Sequence, residues 1–456
     1  MNDHRLLSRG NAARALWDSV RTSLWFLPAV MGVLAPVLTF LALATDHWLD
    51  QGPKDSLPGL VYVSPPAQAR ELLATVLTSM ITMASLVFSI TMVVLTLATS
   101  QFGPRLIRNF MGRLQTQFVL GTFVMTIIYC LLLLSFIQAG DEDAMHAYLS
   151  VTLAIGLTIA SVALMVLHIH ELAASIMSET LIDAVGRELD RGVGGLRPLG
   201  EGADPRDALP DDFEAGAAFF GVRSSGYIQA IELQRIIDAA RAADVLVGLK
   251  LRAGDFAIPN GRAFGIYPAS RASDRLADTI ERAITLGVHR TPVQDLEFSI
   301  RHLVEIAVRA LSPGINDPYT AVSVIHRLSS SWAELLQRSV PRGVFQDREG
   351  VLRVICPRPS YGSLLNASFS QIRQSGCDKP IILIHLLKAL QAMAPCANTG
   401  DQQAALRDQA DAILEDARRE ICNSADLEDV EKQGQRTLEV LAAICPGRDG
   451  VAVQTG

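Results

Sequence analysis

Four long apolar stretches dominate the first third of the chain. No formally charged residue lies between Arg21 and Asp46, Glu71 and Arg105, Arg113 and Asp141, or Asp143 and Glu171. Each gap holds at least the roughly 20 apolar residues that a helix rising about 1.5 Å per residue needs to cross about 30 Å of hydrocarbon. The pattern predicts transmembrane helices near 24–45, 74–100, 116–137 and 147–169. Trp25 and Trp48 bracket the first and Tyr148 opens the fourth, where amphipathic rings suit the headgroup level. Pro28 and Pro36 are expected to bend the first helix. The uncharged run from Leu72 to Pro104 would be about 50 Å long as a helix, so part of it is expected to project or tilt.

After Glu171 the pattern changes. The fourth helix is expected to run on through Leu172 to Leu189 as a stalk, since no Gly or Pro interrupts it before Gly186. Glycines and prolines from Gly192 to Pro210 then mark a linker. Short alternating runs at Ala217–Val222, Tyr227–Ile231, Val245–Leu251 and Arg262–Tyr267, separated by Ser-Gly, Ala-Gly-Asp and Pro-Asn-Gly turns, predict a small β unit. The order of these turns around Ser225-Gly226-Tyr227-Ile228 and Asn260-Gly261 resembles a barrel-sandwich, the fold of lipoyl and biotinyl carriers and export adaptors. No lysine sits in a carrier hairpin, so no swinging-arm cofactor is expected. Beyond residue 272 the pattern is helical, with helices at about 319–338, 361–374, 379–393, 402–422 and 426–443.

The fold class expected is therefore an α-helical integral membrane protein with four transmembrane helices and a cytoplasmic α+β region, a small barrel-sandwich-like β unit followed by a helical domain. The domain limits are 1–171 for the membrane part, 172–212 for stalk and linker, 213–270 for the β unit, 271–445 for the helical domain and 446–456 for a disordered tail.

Composition sharpens this. The chain has 456 residues, of which 49% are hydrophobic and only 19% charged, against about 25% charged in ordinary soluble domains. Nine of the 40 Lys and Arg and ten of the 47 acids precede residue 172, so the missing charge is missing from the four spans. A net charge of -7 argues against a nucleic-acid binder. Arg5, Arg9, Arg14 and Arg21 precede the first span, Arg105, Arg108 and Arg113 link the second to the third, and Asp141, Glu142 and Asp143 link the third to the fourth. The positive-inside rule then places both chain ends in the cytoplasm. A cleavable signal peptide ending at Ala42-Leu43-Ala44 competes, but its apolar run exceeds the usual h-region of about 7–15 residues.

Candidate chemistry is sparse. Thr75, Thr78, Thr82, Ser85, Ser89, Thr96 and Ser100 recur at steps of three, four or seven and share a helical arc of roughly 80°. Helix packing through small hydroxyl residues is the plainer explanation. The sharper one is a pore lining, with the second helix innermost in an oligomer. In that picture Arg105 and Arg108 crowd the inner mouth and favour anions, although topology signalling alone is the plainer explanation for them. No Asp, Glu, Lys or Arg lies within the four spans, unlike proton relays and ion-coupled pumps. His168 and His170 at i, i+2 point apart on a helix, so interfacial placement suits them better than metal chelation.

In the helical domain Glu297, Arg301, Glu305 and Arg309 form an i, i+4 ladder that reads as a solvated face. Ser312-Pro313-Gly314-Ile315-Asn316-Asp317-Pro318 is a turn with Asp317 as helix cap and Pro318 at the first helical position. A polar ligand at His302, Arg309, Asn316 or Asp317 is the alternative to a purely structural turn. No second aligned acid, base or nucleophile joins it, so no catalytic residue, enzyme activity or cofactor is expected. The six cysteines show no metal-ligand spacing, and free thiols with no metal site are expected.

Two stretches carry a resemblance to a known family. They are Ser85-Leu86-Val87-Phe88-Ser89-Ile90 through Ser100-Gln101-Phe102-Gly103-Pro104-Arg105 with Leu120-Gly121-Thr122-Phe123, and Arg309-Ala310-Leu311-Ser312-Pro313-Gly314-Ile315-Asn316-Asp317-Pro318. The chain resembles the bacterial predicted membrane proteins classed as a domain of unknown function. The resemblance implies a four-helix inner-membrane region and a cytoplasmic domain, and no activity. Tyr319 stands where that family usually has Phe. The function expected is a homo-oligomeric channel or permeation protein for ions or a small solute, in contact with the lipid bilayer and gated or assembled by its cytoplasmic part. The alternative is a non-conducting membrane-anchored sensor or scaffold that binds a cytosolic partner or metabolite.

Overall fold

The structure, a computed structural model, describes residues 25–50, 65–102, 114–137, 148–175, 178–198, 210, 212–292, 294–340 and 343–443. It divides into two compact units, Met1–Met177 and Ser178–Gly456. The leader arginines, the acidic link 141–143, linker residues 199–209, Cys445 and the tail 446–456 lie outside the described residues.

In the first unit four helices are long and apolar enough to cross a membrane: α1 (Phe26–Asp50), α2 (Pro66–Phe102), α3 (Leu114–Phe136) and α4 (Tyr148–Ser175). The hydrophobic runs place all four. Pro36 lies inside α1 and Pro28 in its first turn, where a helix loses no amide bond to proline. At 37 residues α2 is about 55 Å long, longer than its uncharged run because it begins before Arg70 and Glu71.

Helix α3 packs against each of the other three. Gly121 sets its approach to α1, since a β-carbon there would lie 2.5 Å from Met31 Sδ and 3.4 Å from Pro28 Cα; a small residue lets two backbones close up where lipid gives no hydrophobic drive. Polar ties fasten the bundle. Buried Asp46 accepts from Leu149 N at 2.7 Å, Ser150 N at 3.0 Å and Ser150 Oγ at 2.5 Å. It thus caps the start of α4, whose first amides have no partner within their own helix. Tyr129 Oη donates to Ser150 O and Arg70 Nη1 to Ile137 O, each at 2.9 Å.

The second unit opens with α5 (Ser178–Gly194), and residues 176–177 ahead of it lie outside the described residues. Leu181, Ile182, Val185, Leu189 and Val193 are buried, and α5 packs on α9 (Leu296–Ala310) and α10 (Pro318–Leu335). The signal was present as apolar residues at i, i+4 spacing.

After β1 (Arg197–Pro198) and α6 (Phe213–Gly216) come β2 (Ala218–Phe220), β3 (Gly226–Ile231), α7 (Leu233–Ala243), β4 (Leu246–Leu249), β5 (Phe256–Ala257), β6 (Phe264–Tyr267), α8 (Asp274–Glu281) and β7 (Ile284–Gly287). The barrel-sandwich expectation fails here. The main sheet has order β2-β6-β4-β10-β9, with β9 (Val344–Gln346) and β10 (Leu352–Ile355) supplied from far downstream. β10 pairs parallel with β4, Val354 opposite Val247. A second sheet has order β5-β3-β7. Local turn chemistry cannot announce a partner more than 100 residues away. The continuous burial of Leu246–Leu249 is, however, what a central strand with a parallel neighbour shows.

Ile236, Ala240 and Ile280 from α7 and α8 join Val247, Phe264, Ile266 and Val354 in one core. Gly248 and Gly265 leave room for the Phe213 ring, which a β-carbon on Gly248 would meet at 2.6 Å. The region beyond 272 is thus helical except for β7, the two strands of that sheet and β8 (Arg338–Ser339), which pairs with β1. Helices α11 (Tyr361–Ser375), α12 (Pro380–Met393), α13 (Gly400–Glu420) and α14 (Ser424–Ala443) complete the unit.

Candidate functional site

The face α2 buries is narrow. Ala69, Leu73, Met80 and Val87 are covered, at spacings of four and seven that make one stripe. Only 11% of the membrane window of α2 is buried, against 44% for α3. The hydroxyl residues lie on the uncovered side: Thr75, Thr78, Thr82, Ser85, Ser89 and Thr96 are all exposed. The side chain of Ser100 and the whole of Arg105 and Arg108 lie outside the described residues. Packing within the bundle therefore does not account for the six described hydroxyls. Ser85, Phe88, Ser89, Met92, Val93 and Thr96 line an open concavity of about 640 Å³.

The hydroxyl hydrogens of four threonines are directed to their own helix backbone. Thr75 Oγ1 donates to Glu71 O, Thr78 to Ala74 O, Thr82 to Thr78 O and Thr96 to Met92 O, each at 2.9 Å. Back-bonding of this kind satisfies the donor within the helix and leaves the oxygen lone pairs facing outward.

Thr91 lies off the stripe and does turn inward. Its Oγ1 is 3.3 Å from His168 Nε2 of α4, and His168 is buried. A titratable ring thus sits inside the bundle. Counting Asp, Glu, Lys and Arg alone missed it; the combination of an off-stripe Thr on one span with a His at the end of another was the available signal. Thr126 and Ser161 meet in the same interior at 3.2 Å.

The Ser312–Pro318 turn is held by its own backbone. Asn316 N and Ile315 N both donate to Ser312 O, Ser312 Oγ donates to Arg309 O, and Asp317 N donates to Ala310 O. Asn316 takes φ 49°, a left-handed value that Asn tolerates. Asp317 Oδ1 accepts from Tyr319 N and Thr320 N, while Oδ2 accepts from Thr320 Oγ1 at 2.6 Å. Both carboxylate oxygens are engaged in starting α10. His302 is buried with its ring 4.3 Å from that of Phe298, and about 12 Å of helical rise separates it from Ala310, where the turn begins. His302 and Arg309 thus lie on α9, Asn316 in the turn and Asp317 at the cap of α10.

The ladder on α9 is not a solvated face at its first rung. Glu297 is buried and accepts from Arg301 and, at 2.7 Å, from Arg252 Nη2 of the loop after β4. Beside it Asp295 is held by Arg290, Nε at 2.9 Å and Nη2 at 2.6 Å. Burial pushes the Asp295 carboxyl up, with Arg290 offsetting part of the effect. Burial acts the same way on Glu297, but the bond and charge of Arg301 and the charges of Arg252 and Arg290 outweigh it and hold that carboxyl below its usual value. Glu297 thus ties the loop after β4 to α9, while Asp295 and Arg290 brace the segment that leads from β7 into α9.

Residues 21–392 match the family model described as Predicted membrane protein (DUF2254). The chain belongs to this family. It is also 31% identical over 442 residues to an uncharacterised protein of Mycobacterium bovis and, to the same extent, to one of Mycobacterium tuberculosis, covering 94% of this chain and 83% of each relative. No solved structure matches the chain. Family membership and the four apolar helices make it a multi-pass membrane protein.

Proposed function

We propose that this member of the family is a homo-oligomeric channel or permeation protein of the bacterial inner membrane, with both chain ends cytoplasmic and the second unit assembling or gating it. One observation carries the reading: the hydroxyl stripe faces away from its own bundle, on the span with the least cover. A row of polar atoms turned to lipid gains nothing, whereas the same row around a shared axis makes a neutral wetted path. The outward lone pairs of the threonines suit water and cations. A preference for anions rests on Arg105 and Arg108 alone. The reading includes no catalysis.

Liposomes containing the purified, untagged protein test it. Flux of ions or small neutral solutes above empty controls is expected, and Ser89→Leu should cut it at least about tenfold by placing an apolar group in the path. Liposomes that pass nothing under any imposed gradient would sink the proposal and leave the sensor or scaffold reading.

A further inference from the structure

One pair of metal-ligating side chains in the second unit serves none of the features above. His326 of α10 and His385 of α12 bring Nε2 and Nδ1 to 3.2 Å, with ring centroids 5.2 Å apart and planes inclined by 60°. We propose that these two imidazoles form a binding site for a borderline divalent transition-metal ion of the class Zn²⁺, Ni²⁺ or Cu²⁺.

The separation fits such an ion. With metal–nitrogen bonds of about 2.0–2.1 Å, a tetrahedral angle puts two ligand nitrogens about 3.3 Å apart. A single N–H···N hydrogen bond also spans the gap, and the ion takes its place once the donor ring changes tautomer: solvent takes the bridging proton and returns one to that ring's outer nitrogen, so both rings stay neutral and no net proton is released. Each ring nitrogen is a competent ligand, and imidazole suits Zn, Ni and Cu rather than Mg or Ca.

The rings are carried rigidly. Val324, Ile325, Leu328 and Trp332 anchor α10, and Leu383 and Leu386 anchor α12, all buried. Two ligands on separately anchored helices form a chelate whose geometry exists before the ion arrives, which cuts the ordering cost of binding. His326 is exposed and His385 half-buried, so an ion has access. Lys388, close enough to act on His385 electrostatically, opposes the cation and lowers affinity without blocking either nitrogen.

Among the described residues no group of three or more His, Cys, Asp or Glu is placed to hold a metal. The site therefore supplies two ligands and leaves the remaining positions to water or to a donor from another molecule, an open site rather than a closed structural one. A bound ion would clip α10 to α12, and the neighbouring Arg327 of α10 holds α5 through Asp190.

The test uses the full chain in detergent, free of any histidine tag and treated with chelator. Adding Zn²⁺ or Ni²⁺ should raise Tm, because a ligand bound only by the folded state stabilises it, with one ion per chain by equilibrium dialysis. His326→Ala and His385→Ala should each weaken binding by more than the roughly 10–100-fold that loss of an outer-shell partner costs, while Mg²⁺ shifts none of the proteins. Dialysis of wild-type protein keeps the test decisive if a variant folds poorly: no retained Zn²⁺ or Ni²⁺ overturns the proposal. Equal metal-dependent shifts in wild type and both variants overturn it too, and leave a hydrogen bond between the rings.

Discussion

At the scale of single residues, composition and spacing told which side chains carry charge but not which are buried. The ladder Glu297, Arg301, Glu305 and Arg309 has the spacing of a solvated face, yet Glu297 lies at the sheet–helix junction because Arg252 arrives from another element. Asp295 and Arg290 are equally illegible from spacing, and they give a prediction. Removing one partner of a buried pair leaves an uncompensated charge, so Arg290→Ala should cost about 3–5 kcal/mol at neutral pH. The folded-state pKa of Asp295 is raised above its ordinary 3.8, so its proton-linked stability is full below that value and is lost as pH rises through the folded pKa. Without the hydrogen bond and charge of Arg290, which lower it, that pKa climbs further. The deficit in Tm relative to wild type should therefore shrink as pH falls towards the folded pKa of Asp295, and a deficit that stays constant down to acid pH would show that Asp295 is not the group left unpaired.

At the scale of elements, helices with strong periodicity were legible to within a few residues. The predicted 361–374 and 379–393 appear as Tyr361–Ser375 and Pro380–Met393, because Ser360 and Pro380 mark their starts through local chemistry. Strand pairing was not legible, since β4 and β10 meet only through tertiary contact. Asp317 tests the local kind of encoding. As a cap, Asp317→Ala should lower stability by about 1 kcal/mol, and Asp317→Asn by less because Asn also caps; thermal unfolding that ranks Asn with Ala would point to a ligand for the carboxylate instead. Gly186 tests the tertiary kind. A β-carbon there would run into the Arg327 guanidinium, which lies across α5 to reach Asp190, with Ser331 Oγ donating to the same carboxylate at 2.6 Å. Gly186→Ala should cost about 1–3 kcal/mol, as overpacking does. Hydrogen exchange should then quicken across 178–194 more than across α13.

At the scale of the whole molecule, the charge pattern puts the limit of the membrane part at 171, and the chain clusters into two compact units, Met1–Met177 and Ser178–Gly456. The hydroxyl stripe was legible as a stripe, because helical periodicity alone sets it. Its direction was not, because direction depends on which other face of α2 finds partners: Leu73, Met80 and Val87 are covered and the hydroxyls are left outside. If copies gather with α2 innermost, residues on the stripe approach their counterparts across a shared axis, while residues on the covered face stay inside their own bundle. Ser85→Cys and Val87→Cys differ by only two positions and so by about 200° around the helix. In a background with the native cysteines replaced, mild oxidation in membranes should yield cross-linked copies with Ser85→Cys and none with Val87→Cys. Because a disulfide needs α-carbons within about 7 Å, the pattern along Thr78, Thr82, Ser85 and Ser89 would trace where the axis is narrowest. Cross-linking that ignores the face of α2, or fails at every stripe position, would remove the shared axis on which a conducting path depends.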